Sequence, residues 1–204
     1  MTVVFRPRSG LIATWFVAGI SVFTAVTTFL ADPRQGVAVL PLLALAVAVT
    51  WAVLARPSVI VSDGGVTIVN VLRTVELPWP AIQAVDTKWA LTLQTAYGPY
   101  SAWAAAAPGR AVVRRATKSD VAHLPESTYG LGGIRPGDLP ASQSGAAALL
   151  IRERWEALRD AGYLDQPVLE RAQPRTTTHW PILALIALLA ISALAERSTR
   201  LEQR

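Results

Sequence analysis

Few residues in this chain are of a type and spacing that could do chemistry. There are two histidines, His123 and His179, and no cysteine. Thiolate nucleophiles, thiolate metal sites and disulfides are thereby excluded. The histidines stand apart, one in a Gly/Pro-rich stretch and one against a hydrophobic run, and neither has a carboxylate at ligand spacing. Glu76, Asp86 and Lys88 are the charged residues of the central apolar region. None pairs with another at acid–base spacing, and a solvated strand edge is the plainer role for all three. No phosphate-cradling glycine loop, nucleophile elbow or metal constellation is present. The expectation is a chain that is not an enzyme and carries neither a cofactor nor a metal.

Two groups remain that could bind rather than react. Arg110, Arg114, Arg115 and Lys118 form the densest basic cluster, interleaved with Val112 and Val113. Near a bilayer each base contributes about 1 kcal/mol of attraction to anionic headgroups, so the cluster is a candidate lipid-binding site. A solvated connecting segment accounts for the same cluster equally well. Trp79, Trp89 and Trp103 could stack on a ligand. Large aromatics in a small domain more often fill its core, and these three are expected to do so, with Trp155 as their partner.

The elements that must position these groups follow from composition and patterning. The chain has 204 residues, 52% of them hydrophobic and 16% charged, with a formal net charge of +5. Mean hydropathy is +0.37 and the pI about 10.2. A basic balance raises nucleic acid as a partner. Here many of the arginines flank hydrophobic runs, where they orient a membrane protein instead, and nucleic-acid binding is set aside.

Three such runs occur. Leu11 to Ala31 and Val37 to Ala55 are uncharged and long enough to cross a hydrocarbon core of about 30 Å at about 1.5 Å per residue. Only a short linker containing Asp32-Pro33 separates them, so residues 11–55 read as a transmembrane hairpin. The first run exceeds the length of a signal-peptide core and is followed at once by a second, so it is expected to be retained. Trp180 to Ala195 is shorter. It becomes a third span, residues 176–195, if Thr176, Thr177, Thr178 and His179 enter the interface, with Trp180 as aromatic anchor. Arg6, Arg8, Arg56, Arg171 and Arg175 fall on one side of these spans, which predicts a multi-pass plasma-membrane protein with its soluble part in the cytoplasm.

Between the spans the texture changes to short β-branched segments. Ser58–Ser62, Val66–Asn70, Val75–Leu77, Ala81–Asp86, Trp89–Thr95 and Tyr100–Ala104 alternate, with Asp63-Gly64-Gly65, Arg73-Thr74, Pro78–Pro80 and Tyr97-Gly98-Pro99 as breaks. They predict an antiparallel meander over residues 56–110. A Gly/Pro/Ser-rich linker is expected at 111–145. A capping helix is expected at 146–165, with Ala147, Ile151, Trp155, Leu158 and Gly162 on its buried face and Arg152, Glu153, Glu156 and Arg159 opposite. The fold class is thus membrane α plus all-β.

The Arg56-Pro57 start, the Asp63-Gly64-Gly65 turn, the Leu77-Pro78-Trp79 step, Ile82 and the stretch from Ser101 to Arg110 resemble the bacterial pleckstrin-homology-like (PH) domains of small actinobacterial membrane proteins. The resemblance covers residues 56–110 and the helix at 146–164. It implies a partly open antiparallel barrel capped by a C-terminal helix. With no catalytic set and no ionisable group in the three apolar runs, the soluble part is expected to be an interaction or scaffold module. Eukaryotic relatives bind phosphoinositides through bases around the first hairpin, and here that hairpin, Ser62–Gly65, holds an acid and no base. The expected partners are therefore membrane lipids and another membrane protein or complex, or a second copy.

Overall fold

The computed structural model describes residues 2–107, 128, 136–139, 142–164 and 172–202. The chain divides into two compact units. One comprises Met1–Pro7 and Pro57–Thr178, the other Arg8–Arg56 and His179–Arg204.

The second unit is helical. Helix α1 (Arg8–Ala31) and helix α2 (Pro33–Thr50) form an antiparallel pair, and α2 continues into a π-helical turn at Trp51–Ala55. The hairpin is made by local chemistry. Asp32 caps α2, its Oδ1 accepting from the backbone N–H groups of Arg34 at 2.9 Å and Gln35 at 3.4 Å. Pro33 sits at the first helical position, where it has no N–H to waste. Gly36 lets the helices close, because a Cβ there would meet Phe29. Helices Arg8–Ala31 and Pro33–Ala55 are long and apolar enough to cross a membrane, while the last helix, Trp180–Glu202, has a shorter apolar part.

The first unit is two antiparallel sheets and a helix. Strands β1 (Val3–Phe5), β2 (Ser58–Val61), β3 (Gly65–Val69), β4 (Arg73–Pro78) and β8 (Arg175–Thr178) form a five-stranded sheet in the order β1-β2-β3-β4-β8. Strands β5 (Ile82–Asp86), β6 (Ala90–Thr95) and β7 (Gly98–Ala106) form the other. Strands β2, β3, β4 and β6 follow the alternation of the sequence, with Val59, Val61, Val66, Ile68, Val75, Leu77, Leu91 and Leu93 inside, whereas a register shift after Ile82 in β5 buries Ile82 and Val85. Strands β1 and β8 do not: three and four residues are too few for a period-two signal. Residues 176–178 were expected to join the third span. They pair instead with Val75, Thr74 and Arg73 of β4, and the helix starts only at Trp180.

The two sheets share one core, and Asn70 ties them at one corner. Its side chain donates Nδ2 to the Ser101 carbonyl at 2.8 Å and accepts at Oδ1 from the Trp103 N–H at 2.8 Å. A side-chain amide thus does across the gap what a peptide does within a ladder.

Helix α3 (Gln143–Asp160) lies against β5, β6 and β7. Ser142 caps it by accepting from the Gly145 N–H at 2.9 Å, and Gly162, at φ 76°, ends it in the left-handed conformation. The helix begins three residues earlier than the pattern suggested and stops before Gly162. The stretch expected to be a linker, residues 111–145, is built into the domain wherever it is described: Thr128, Gly137, Asp138, Leu139, Ser142 and Ser144 are buried.

Candidate interaction surfaces of the folded domain

The tryptophans divide by position. Trp79 lies in the 3-10 turn after β4, where Pro78 and Pro80 end the strand, and its ring is buried while its indole N–H donates to the Ser62 carbonyl at 3.0 Å. Trp155 is half-buried on α3 against the core, donating to the Ile82 carbonyl at 3.1 Å, with the Arg159 guanidinium 5.5 Å from its ring. Trp89 and Trp103, expected in the core, are 81% and 60% exposed. In β7 the inward positions are taken by Ala102 and Ala104, so the pleat turns Trp103 outward. Trp89 precedes β6 in a turn, where strand alternation no longer governs, and Lys88 Nζ stands 5.7 Å from its ring centre.

One constellation was missed entirely. Arg152, expected on the solvent face of α3, is buried. Its Nη1 contacts Asp138 Oδ1 at 2.7 Å and Thr128 Oγ1 at 3.2 Å, and its Nη2 donates to the Val85 carbonyl at 2.9 Å. Thr87 Oγ1 donates to the same Asp138 oxygen at 2.7 Å. The helix is therefore buried over a wider arc than its apolar residues mark, through Ala147, Ala148, Ile151 and Arg152. A sequence signal existed: Arg152 follows Ile151 directly and lies four residues after Ala148, on the buried side. Its meaning depended on Asp138, which no local pattern connects to it. The network joins β5, the turn after it, residues 136–138 and α3, and Thr87, Thr128, Asp138 and Arg152 are all buried.

A groove of about 360 Å³ lies beside the β2–β3 hairpin. Its lining is apolar Val3, Val61, Leu150 and Ala157 with charged Asp63, Glu153 and Arg154. Arg154 Nη2 reaches Asp63 Oδ1 at 2.6 Å, both side chains being well exposed. Such a solvent-exposed pair is weak, so a partner can replace it at small cost. An anion meets there two carboxylates and one arginine already engaged.

Strand register locates this groove. Phe5 pairs with Val59, Ser58 with Val69, and Arg73 with Thr178. One end of the large sheet therefore gathers Phe5, Ser58, the β3–β4 turn and Thr178, and from this end the chain leaves the unit all three times, at Pro7, Pro57 and Thr178. The Ser62–Gly65 hairpin, and with it the groove, is at the other end, since Val61 pairs with both Val3 and Val66.

Arg110, Arg114, Arg115 and Lys118 lie outside the described residues, as does His123. Glu76 and Asp86 are on strands β4 and β5 and do not converge; among the described residues no three His, Asp or Glu side chains are grouped as a metal would need. Comparison with protein families matches residues 56–161, just over half of the chain, to the bacterial PH domain. The chain belongs to the bacterial PH domain family. The match extends past β7 through residues 136–139 and α3, which makes the Arg152–Asp138 clamp internal to the PH domain. No curated protein and no solved structure matches the chain. PH domains act as interaction modules for proteins or lipids, and two apolar helices precede this one.

Proposed function

We propose that this chain is a multi-pass plasma-membrane protein whose cytoplasmic PH domain is an interaction or scaffold module, taking up a protein partner or a second copy at the membrane face. The observation that carries the reading is the location of the groove: its Asp63-bearing hairpin is at the sheet end opposite the three chain exits. The groove's mixture of apolar and opposite charges suits a protein surface better than a lipid headgroup.

Membrane topology has support from pairing. Strand β1 lies in the same sheet as β2, so the chain between them, α1 and α2, crosses the bilayer an even number of times. Arg6, Arg8 and Arg56 then share one side with the domain, which the distribution of positive charge assigns to the cytoplasm. The helix from Trp180 makes the third span.

A photo-crosslinking amino acid placed at Ala157 in the groove tests the proposal on the full chain in native membranes. A discrete protein adduct is expected there, with none from the same group at Gln83 on the exposed side of β5. An adduct of twice the chain mass identifies self-assembly. Crosslinking to lipid alone would overturn the reading in favour of anionic-lipid sensing by Arg110, Arg114, Arg115 and Lys118.

A further inference from the structure

The large sheet ends in two different edges. Strand β8 reads Arg-Thr-Thr-Thr, polar throughout. Strand β1 reads Val-Val-Phe and pairs without a register shift, so it has none of the charge, proline or bulge that blunts an edge. Its free side follows from the neighbouring hairpin. Ser62 and Gly65 exchange both backbone bonds, N–H to carbonyl, at 2.9 Å and 3.4 Å. Bonding alternates along an antiparallel strand, so Ile60 and Ser58 also face β3, while Val61 and Val59 face β1. Their partners there are Val3 and Phe5. Val4, between those two, turns its N–H and C=O away from the sheet, and no backbone bond from another described element reaches them. Its side chain is 55% exposed. The groove beside the hairpin opens at this edge: Val3 lines it from β1, Val61 from β2, and Leu150 and Ala157 from α3. All four belong to one compact unit.

We infer that the groove takes an extended segment of a partner protein, which joins the large sheet beside β1 through the N–H and C=O of Val4. The inference deepens the function proposed above and rests on it. A strand added about 4.8 Å beyond β1 sets every second side chain on the face that carries Val3. Those side chains enter the groove against Leu150 and Ala157. The backbone bonds then supply attachment, and the groove selects apolar residues at alternate positions. The carboxylates of Asp63 and Glu153 outnumber Arg154 in the lining, which disfavours an acidic segment. A second copy supplies such a strand poorly. Its Phe5 is already packed against its own core, and its β8 offers only an arginine and threonines.

Proline at Val4 is the discriminating change. It deletes the outward N–H and leaves the β1–β2 bonds, which use Val3 and Phe5, in place. The full chain in native membranes, with a photo-crosslinking group at Ala157, is compared with its Val4→Thr and Val4→Pro variants. Val4→Thr keeps the N–H and should give the parent's adduct. Val4→Pro should lower the yield at least about tenfold, with thermal unfolding in detergent micelles close to that of the parent. An undiminished adduct from Val4→Pro overturns strand addition and spares the groove as a binding site. An adduct of twice the chain mass also overturns the inference, because the occupant is then a second copy. No protein adduct at Ala157 in any of the three chains removes the groove reading itself. Should Val4→Pro fail to fold, a photo-crosslinking group at position 4 of the parent decides. A strand beside β1 is within its reach, so it must capture the protein captured at Ala157, and capture of nothing or of lipid refutes the inference.

Discussion

Asp138→Ala should be among the most damaging substitutions in the domain, although Asp138 is in a short turn. Arg152 and Asp138 have side chains 3% and 2% exposed, and their contact is 2.7 Å. Removing the carboxylate leaves a guanidinium inside with, among the described residues, Thr128 Oγ1 and the Val85 carbonyl for company. Breaking a buried pair in this way costs about 3–5 kcal/mol. At about 1.4 kcal/mol per tenfold, the unfolding equilibrium shifts by two to nearly four orders of magnitude. For a domain of this size the melting point falls by at least about 10 °C. Replacing both partners, Arg152→Met with Asp138→Leu, removes the stranded charge. It leaves the Thr87 and Thr128 hydroxyls and the Val85 carbonyl to find partners, so the double variant is not neutral. It should still cost about 2 kcal/mol or more less than the sum of the singles. The assay is thermal unfolding of the full chain in detergent micelles, followed by near-ultraviolet circular dichroism from the packed tryptophans. Additive single effects, or a single variant costing under about 1 kcal/mol, would falsify the claim that this network is dry and coupled.

Other outcomes follow from the same structure. Trp79→Ala should cost about 3–5 kcal/mol. Trp89→Ala and Trp103→Ala should stay within about 0.5 kcal/mol in detergent, because their rings are outside; equal losses at all three would contradict the burial seen here. Gly65→Ala should destabilise the β2–β3 hairpin by about 1–3 kcal/mol, since Gly65 sits at φ 155° and a Cβ would strike the Leu77 carbonyl. Unchanged melting of that variant would refute the strain. Asn70→Ala should cost about 1–2 kcal/mol and speed hydrogen exchange at the Trp103 amide. Asn70→Asp retains the acceptor for that amide and should leave its exchange slow, a contrast readable by mass spectrometry.

How much of this was legible beforehand differs by element. The strands β2 to β7 announced themselves by alternation and by turn residues at Asp63-Gly64-Gly65 and Tyr97-Gly98, all of which are local signals. The helix α3 was visible as an apolar stripe, but its buried arc was drawn too narrow: an arginine reads as solvent-facing unless its carboxylate is known, and Asp138 lies fourteen residues away in a stretch that looks like linker. Trp89 and Trp103 were misplaced for the opposite reason. Their size argued for the core, and only the pleat of β7 and the turn before β6 decide which side they take.

What the amino-acid sequence determined alone was everything written in short-range physics. That includes the apolar hairpin broken at Asp32-Pro33, the meander of β-branched segments and the arginines beside the apolar runs. What only tertiary structure decided was which distant pieces meet. Val3–Phe5 and Arg175–Thr178 become the two edges of one sheet because β2 and β4 offer unpaired backbone, a demand no short segment can state for itself. That pairing brings all three chain exits to one end of the domain and leaves the groove at the other.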